Sequence, residues 1–166
     1  MENEKILLER HRKRDYTVRY EAKRYFWAGA KGNIISKVYV PREVYDYLAM
    51  STSCLKNGEL IVSANTPKEL KEELDNEIYE KEEQEANSLT REDVEKILKG
   101  NMASMKSALE KVTSFSAKQF VLDVAKEMKL SNVNKQKFIK DWYGTELPLE
   151  DLFELDEEKK KKKKGR

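Results

Sequence analysis

The tripeptide Asn65-Thr66-Pro67 divides a chain whose two sides obey different periods. Upstream, Tyr16, Val18, Tyr20 and Ala22 alternate with Thr17, Arg19, Glu21 and Lys23, the two-residue repeat of a strand with one buried face. Downstream, apolar residues recur every three to four positions, as amphipathic helices require. A chain whose strand-like and helix-like stretches are segregated in this way is expected to be α+β. It divides into a small β-rich unit over 15–65, a charged connecting helix over 66–88 and a bundle of short helices over 89–145. A basic arm over 1–14 precedes these, and an acidic then poly-lysine tail over 146–166, disordered at its lysine end, follows them.

Within the β-rich unit, the strand that starts at Asp15 is followed by the aromatic triplet Tyr25, Phe26 and Trp27. AGAKGN then turns the chain, and NIISKVYV returns as a second strand ending at Pro41. PREVYDYLA predicts a short helix with Val44, Tyr45 and Leu48 on one face, and GELIVSA a third strand. NTPKELKEEL predicts a helix start in which Thr66 caps, Pro67 is the first helical residue and Glu69 reaches back to the cap amide. Leu70, Leu74 and Ile78 mark its apolar stripe, which KEEQEAN does not continue, so the helix is expected to leave the core as an exposed connector.

Beyond it, a helix is expected from Thr90 to a stop at Gly100, then one carrying Met102, Met105, Leu109 and Val112. A third carries Phe120, Val121, Val124 and Met128, and a fourth Phe138, Ile139 and Trp142 before Gly144. LPLEDLFELDEE, with Leu149, Leu152, Phe153 and Leu155, reads either as a segment that docks on a partner or as one that lies back on its own module.

The 166 residues are 39% charged and 39% apolar, enough for modest cores under a densely ionic surface. Charge is segregated: residues 67–95 sum to −8, 96–145 to +6, 146–158 to −7 and 159–166 to +7, inside a net of +2. No apolar run reaches the roughly 18–20 residues of a membrane span, and MENEKILLERHRKR lacks the layout of a secretory signal, so an intracellular protein without membrane contact is expected.

The single histidine, His11, sits among guanidinium groups in ERHRKR with no orienting carboxylate assured, and Cys54, the single cysteine, has no histidine near it in sequence. Nucleotide-binding glycine loops, GxSxG and HExxH are missing from the sequence. The chain is therefore expected not to be an enzyme, with no catalytic, metal-binding or cofactor-binding residues and no cofactor. Two sets of binding candidates stand out. The cations Arg10, Arg12, Lys13, Arg14, Arg19, Lys23 and Arg24, interleaved with tyrosines, and Lys159, Lys160, Lys161, Lys162, Lys163, Lys164 and Arg166 suit phosphates or an acidic partner. Trp27, Phe138, Trp142, Leu152 and Phe153 are candidate docking hydrophobes, the bland alternative being that the aromatics among them are core.

FVLDVAKEMKLSNVNKQKFIKDWYG resembles the helix, extended loop, helix modules of the LEM and SAP type over residues 117–144. Together with VYVPREVYDYL, NGELIV and ILKGNMASMKSALEKV, residues 33–144 resemble small neck, head-completion and head-decoration proteins of tailed bacteriophages. The resemblance implies a non-enzymatic structural or adaptor protein of the virion, oligomeric in assembly, with capsid, portal or neck proteins as partners. It further implies residence in the host cytoplasm during assembly. The alternative is a nucleic-acid-binding accessory protein that uses the basic arm, the helical module and the lysine tail.

Overall fold

The computed structural model describes residues 4–77 and 81–154. The fold is α+β. Strand β1 (Lys5–Arg10) is the middle of a three-stranded antiparallel sheet, flanked by β4 (Ser36–Pro41) and by the two-residue β5 (Ile61–Val62). Strands β2 (Tyr16–Tyr20) and β3 (Lys23–Trp27) form a separate hairpin.

Two expectations about this half are corrected. Residues 5–10 are not part of an arm: Ile6 and Leu8 are fully buried opposite Val40 and Val38 of β4. Their alternation is hidden in KILLER by Leu7 and by the basic run that follows. The strand that starts at residue 16 also does not continue through Ala22. It reverses at Glu21-Ala22, Tyr20 pairing Lys23, so the aromatic triplet is itself the return strand. Glu21 takes φ 54, a left-handed value that no glycine or asparagine announces.

Helix α1 (Arg42–Ser51) buries Val44, Tyr45 and Leu48 against the sheet, as its spacing predicts, with Pro41 as N-cap. The core beneath is closed by Trp27, which is fully buried and whose Nε1–H donates to the Leu8 carbonyl at 3.0 Å. That bond satisfies the indole polar group while the ring fills the gap between hairpin and sheet.

The connecting segment consists of two helices, α2 (Lys68–Asn76) and α3 (Lys81–Asn87), and is not a free spacer. Leu74 is buried in the β-rich core and Asn87 is fully buried. Ile78, expected to continue the stripe, lies outside the described residues. The predicted cap is also corrected: Pro67 is the N-cap of α2, without a side-chain capping bond, and the buried Thr66 Oγ1 has no hydrogen-bond partner among the described residues. Glu73 of α2 and Glu77 at its C-cap are used within the chain. Arg42, at the start of α1, pairs with Glu73 at 3.3 Å and Glu77 at 2.5 Å, and with Glu4 and Asp46 at 3.1 Å each.

The helical half comprises α4 (Arg91–Lys99), α5 (Met102–Glu110), α6 (Phe115–Glu127), α7 (Val133–Tyr143) and the one-turn α8 (Leu149–Leu152). Thr90 and Asp93 form a reciprocal capping box on α4, and Asn101, Ser114 and Asn132 cap the next three helices. Each such cap satisfies an amide the helix leaves without a partner, worth about 1 kcal/mol. The bundle closes on a second core that includes Val94, Leu98, Met105, Leu109, Val121 and Ile139. Lys135 Nζ binds the Leu98 and Gly100 carbonyls at 2.6 and 2.7 Å, a cation at the C-terminal end of α4 where the dipole favours one. Segment 149–153 lies back on this module, burying Leu152. Leu155 and the lysine tail lie outside the described residues. Among the described residues, no helix is long and apolar enough to cross a membrane.

Candidate functional site

The two halves meet at a polar seam. Arg12, just after β1, points its guanidinium into the junction, where Nη1 donates to Glu59 Oε1 and to Ser116 Oγ, each at 2.5 Å. Ser116 Oγ donates in turn to Glu59 Oε1, also at 2.5 Å. Arg12 Nη2 reaches the carbonyls of Asn57 (2.8 Å) and Asn87 (3.1 Å). Arg10 adds a second cation, its Nη1 3.6 Å from Glu59 Oε2, while its Cζ lies over the Tyr16 ring, 5.2 Å from the centroid.

Asn87 is the second keystone. Its Nδ2 donates to the Lys56 carbonyl and to Thr113 Oγ1, and its Oδ1 accepts from the amides of Thr113 and Ser114. One amide thus joins the 55–58 loop to the turn between α5 and α6, all its polar capacity satisfied. Gly58 makes this approach possible. It has φ +73, and a Cβ there would stand 2.1 Å from the Asn87 carbonyl oxygen. On the flank, Lys13 pairs with Glu127 at 3.0 Å, and Arg91 holds the same carboxylate.

Charge and burial oppose one another here. Burial raises the Glu59 pKa, but the Ser116 hydrogen bond and the charges of Arg12 and Arg10 overcome it, and the carboxyl is held below its usual range. Burial also pulls Arg12 down, with Glu59 opposing. Glu9, bonded to His11 at 2.9 Å and paired with Lys37, is held low against its own burial. Cys54 is a core thiol, pushed by burial up to about 11. Among the described residues, no group of three or more His, Cys, Asp and Glu side chains is arranged to hold a metal ion.

The predicted contacts therefore separate. Arg10, Arg12 and Lys13 are engaged inside the chain, and the first two are buried, which corrects their placement on an open basic arm. Arg14, Arg19, Lys23 and Arg24 are exposed, and none of them forms an ion pair among the described residues. Lys159, Lys160, Lys161, Lys162, Lys163, Lys164 and Arg166 lie outside those residues.

Of the five docking hydrophobes, two are corrected and three are half-buried. Trp27 and Leu152 are buried, and Phe138, Trp142 and Phe153 pack on the helical core. Trp142 Nε1 further donates to the Leu109 carbonyl at 2.8 Å. The apolar side chains that do face solvent are others, including Phe26, Ile34, Tyr39, Met50 and Phe115. Glu59, Asn87 and Ser116, which make the seam, are residues that sequence reading passes over. The one local cue is Gly58, a residue type that permits the positive φ and close backbone approach seen there.

Arg19 and Arg24 are directly opposed across the β2–β3 hairpin, as are Thr17 and Phe26. All four are exposed on one face, while Val18 and Trp27 point into the core from the other.

The fold and the seam define a two-unit α+β protein in which a β-rich unit is bolted to a small helical bundle. Residues 4–80 match the model of the YonA N-terminal domain and residues 90–148 that of the YonA C-terminal domain. The two matches cover most of the chain in the order of those domains, and the chain belongs to the YonA family. YonA is a phage-type, prophage protein name, which supports a phage origin. No curated protein and no solved structure matches the chain.

Proposed function

We propose that the chain is a non-catalytic structural adaptor of a phage particle, located in the virion and in the host cytoplasm during assembly. It docks on capsid, portal or neck components and assembles in several copies. The observation that carries this reading is the seam: Arg12, Glu59, Ser116 and Asn87 hold the two units in a fixed relation. A component that sets the geometry between two neighbours gains from such a fixed relation, because mobility between its units would have to be lost again on docking. Exposed apolar side chains such as Ile34, Tyr39 and Met50 supply anchors, and the acidic and basic blocks supply orientation.

An acidic groove fits the same reading. It has a volume of about 760 Å³, and Glu82, Glu83, Glu85 and Glu110 line it with Leu89 and Ile97.

The test is the protein composition of purified particles and of head and tail intermediates from phage-producing cells. The chain is expected in stoichiometric amounts in one of them, in contact by cross-linking with a head or neck protein. Its absence from every particle and intermediate overturns the proposal. So does turnover in a hydrolase or nuclease screen with added divalent ions that a seam-independent substitution abolishes.

A further inference from the structure

The hairpin formed by β2 and β3 has a use that the adaptor reading does not require. Directly opposed side chains on one face of an antiparallel pair have Cβ atoms about 4.5–5.5 Å apart, and two like charges in that position destabilise the pair. Arg19 and Arg24 occupy such a position, and neither has a carboxylate partner among the described residues. Among the described residues, Arg10 and Arg12 are neutralised by Glu59, Arg42 by four carboxylates and Arg91 by Glu95 and Glu127, while Arg14 is exposed and forms no ion pair. The hairpin is thus distinguished by two like charges set directly opposite one another with no carboxylate between them among the described residues. Beside it, on the same face, Phe26 is 46% exposed, and the Arg24 guanidinium stands 5.9 Å from its ring centroid.

We propose that this outer hairpin face is a contact site for single-stranded nucleic acid, with Arg19 and Arg24 on phosphates and Phe26 stacking on a base. The ring decides the partner. A duplex offers phosphates, but its base faces are occupied by their neighbours. An acidic protein surface satisfies two guanidinium groups and leaves Phe26 without a role. A single strand supplies both phosphates and free base faces. The face is rigid before binding, because Val18 and Trp27 anchor the hairpin's other side in the core and the Trp27 indole is bonded to Leu8. Little ordering of the protein is then needed on association.

The experiment measures fluorescence anisotropy of a labelled oligothymidylate of about 20 nucleotides as the full chain is added, across a range of salt concentrations. The lysine tail is a second source of affinity, so every hairpin variant is made both in the native chain and in one with Lys159–Lys164 replaced by Gln. The positions are exposed, and a far-UV spectrum and melting temperature like the parent's establish that each variant folds.

The proposal expects the tail-neutralised parent to bind. Arg19→Gln with Arg24→Gln weakens it at least tenfold and lowers the salt slope by about 1.4, two single-strand phosphates at roughly 0.7 each. Phe26→Ala weakens it several-fold with the slope unchanged. Three outcomes overturn it. One is no binding at low salt, and another is binding that vanishes with the tail and ignores the hairpin. The third is equal binding of a poly-glutamate peptide with Phe26→Ala silent, which identifies an acidic protein surface as the partner instead.

Discussion

Arg12, just past the end of β1, donates a 2.5 Å hydrogen bond to Ser116 in the first turn of α6, 104 residues away. The two share Glu59 Oε1 as an acceptor, so a strand, a loop and a helix converge on one carboxylate. With the Arg12 side chain 7% exposed and that of Arg10 5%, the site is a buried charge cluster balanced by a single acid.

Removing that acid is therefore expected to cost more than removing the hydroxyl. Glu59→Ala leaves two guanidinium groups buried without their counter-ion and is expected to lower stability by roughly 2–3 kcal/mol. Ser116→Ala removes neutral bonds and is expected to cost about 1 kcal/mol. Urea unfolding of both variants is the check. Equal losses for the two would mean that the charge balance does not hold the seam.

The same carboxylate makes stability depend on pH. Burial raises the Glu59 pKa, but the Ser116 bond and the two arginines hold it below the ordinary value, and Glu9 and Glu127 are also held low against their burial. Depressed acids bind fewer protons folded than unfolded. Their contribution is complete above the unfolded carboxylate value of about 4.3 and is lost as pH falls through the lower folded values. The urea midpoint is expected to be flat from neutral pH to about 5 and to drop below about 4, with a shallower drop in Glu59→Gln. A variant profile that parallels the parent's down to the acid limit would assign the drop to other groups.

Cys54 is expected to be inert in the folded protein. It is 3% exposed, and burial pushes its thiol up to about 11 despite a bond from Tyr16, so little thiolate exists near pH 8. A disulfide-exchange reagent should modify it only on the unfolding timescale, and at once in denaturant. Fast, stoichiometric modification of the native chain would contradict its place in the core.

Two threonines at helix starts should behave differently. Thr90 belongs to a complete capping box, and Thr90→Ala is expected to cost about 1 kcal/mol. Thr66 Oγ1 is buried without a partner among the described residues, and Thr66→Val, which keeps the shape and removes the hydroxyl, is expected to be neutral or stabilising. Thermal melts of the two single variants are sufficient. A clear loss at Thr66 would mean that its hydroxyl does cap α2.

Short-range features were legible in advance. The α1 face of Val44, Tyr45 and Leu48, the helix start at Thr90 and the apolar spacing of α5 to α7 each depend on residues within a turn or two of one another. Features that depend on distant partners were not. KILLER becomes a central strand only because β4 supplies Val38 and Val40 some 30 residues later. The turn at Glu21-Ala22 rests on a left-handed glutamate, a conformation the hairpin imposes against the residue's own preference.

The candidate site divides in the same way. Composition and spacing alone determined that this chain has strand-forming and helix-forming halves, two modest cores and strongly segregated charge. Tertiary structure decided which charges are available. Arg10, Arg12, Arg19 and Arg24 are equivalent as letters in ERHRKRDYTVRYEAKR. Burial beside Glu59 takes the first two into the seam, and the two-residue alternation of the hairpin leaves the last two side by side in solvent. The sign of a charge is carried by its residue, but its partner is a property of the fold, because the attraction that neutralises it acts through space between residues 47 and 49 positions apart.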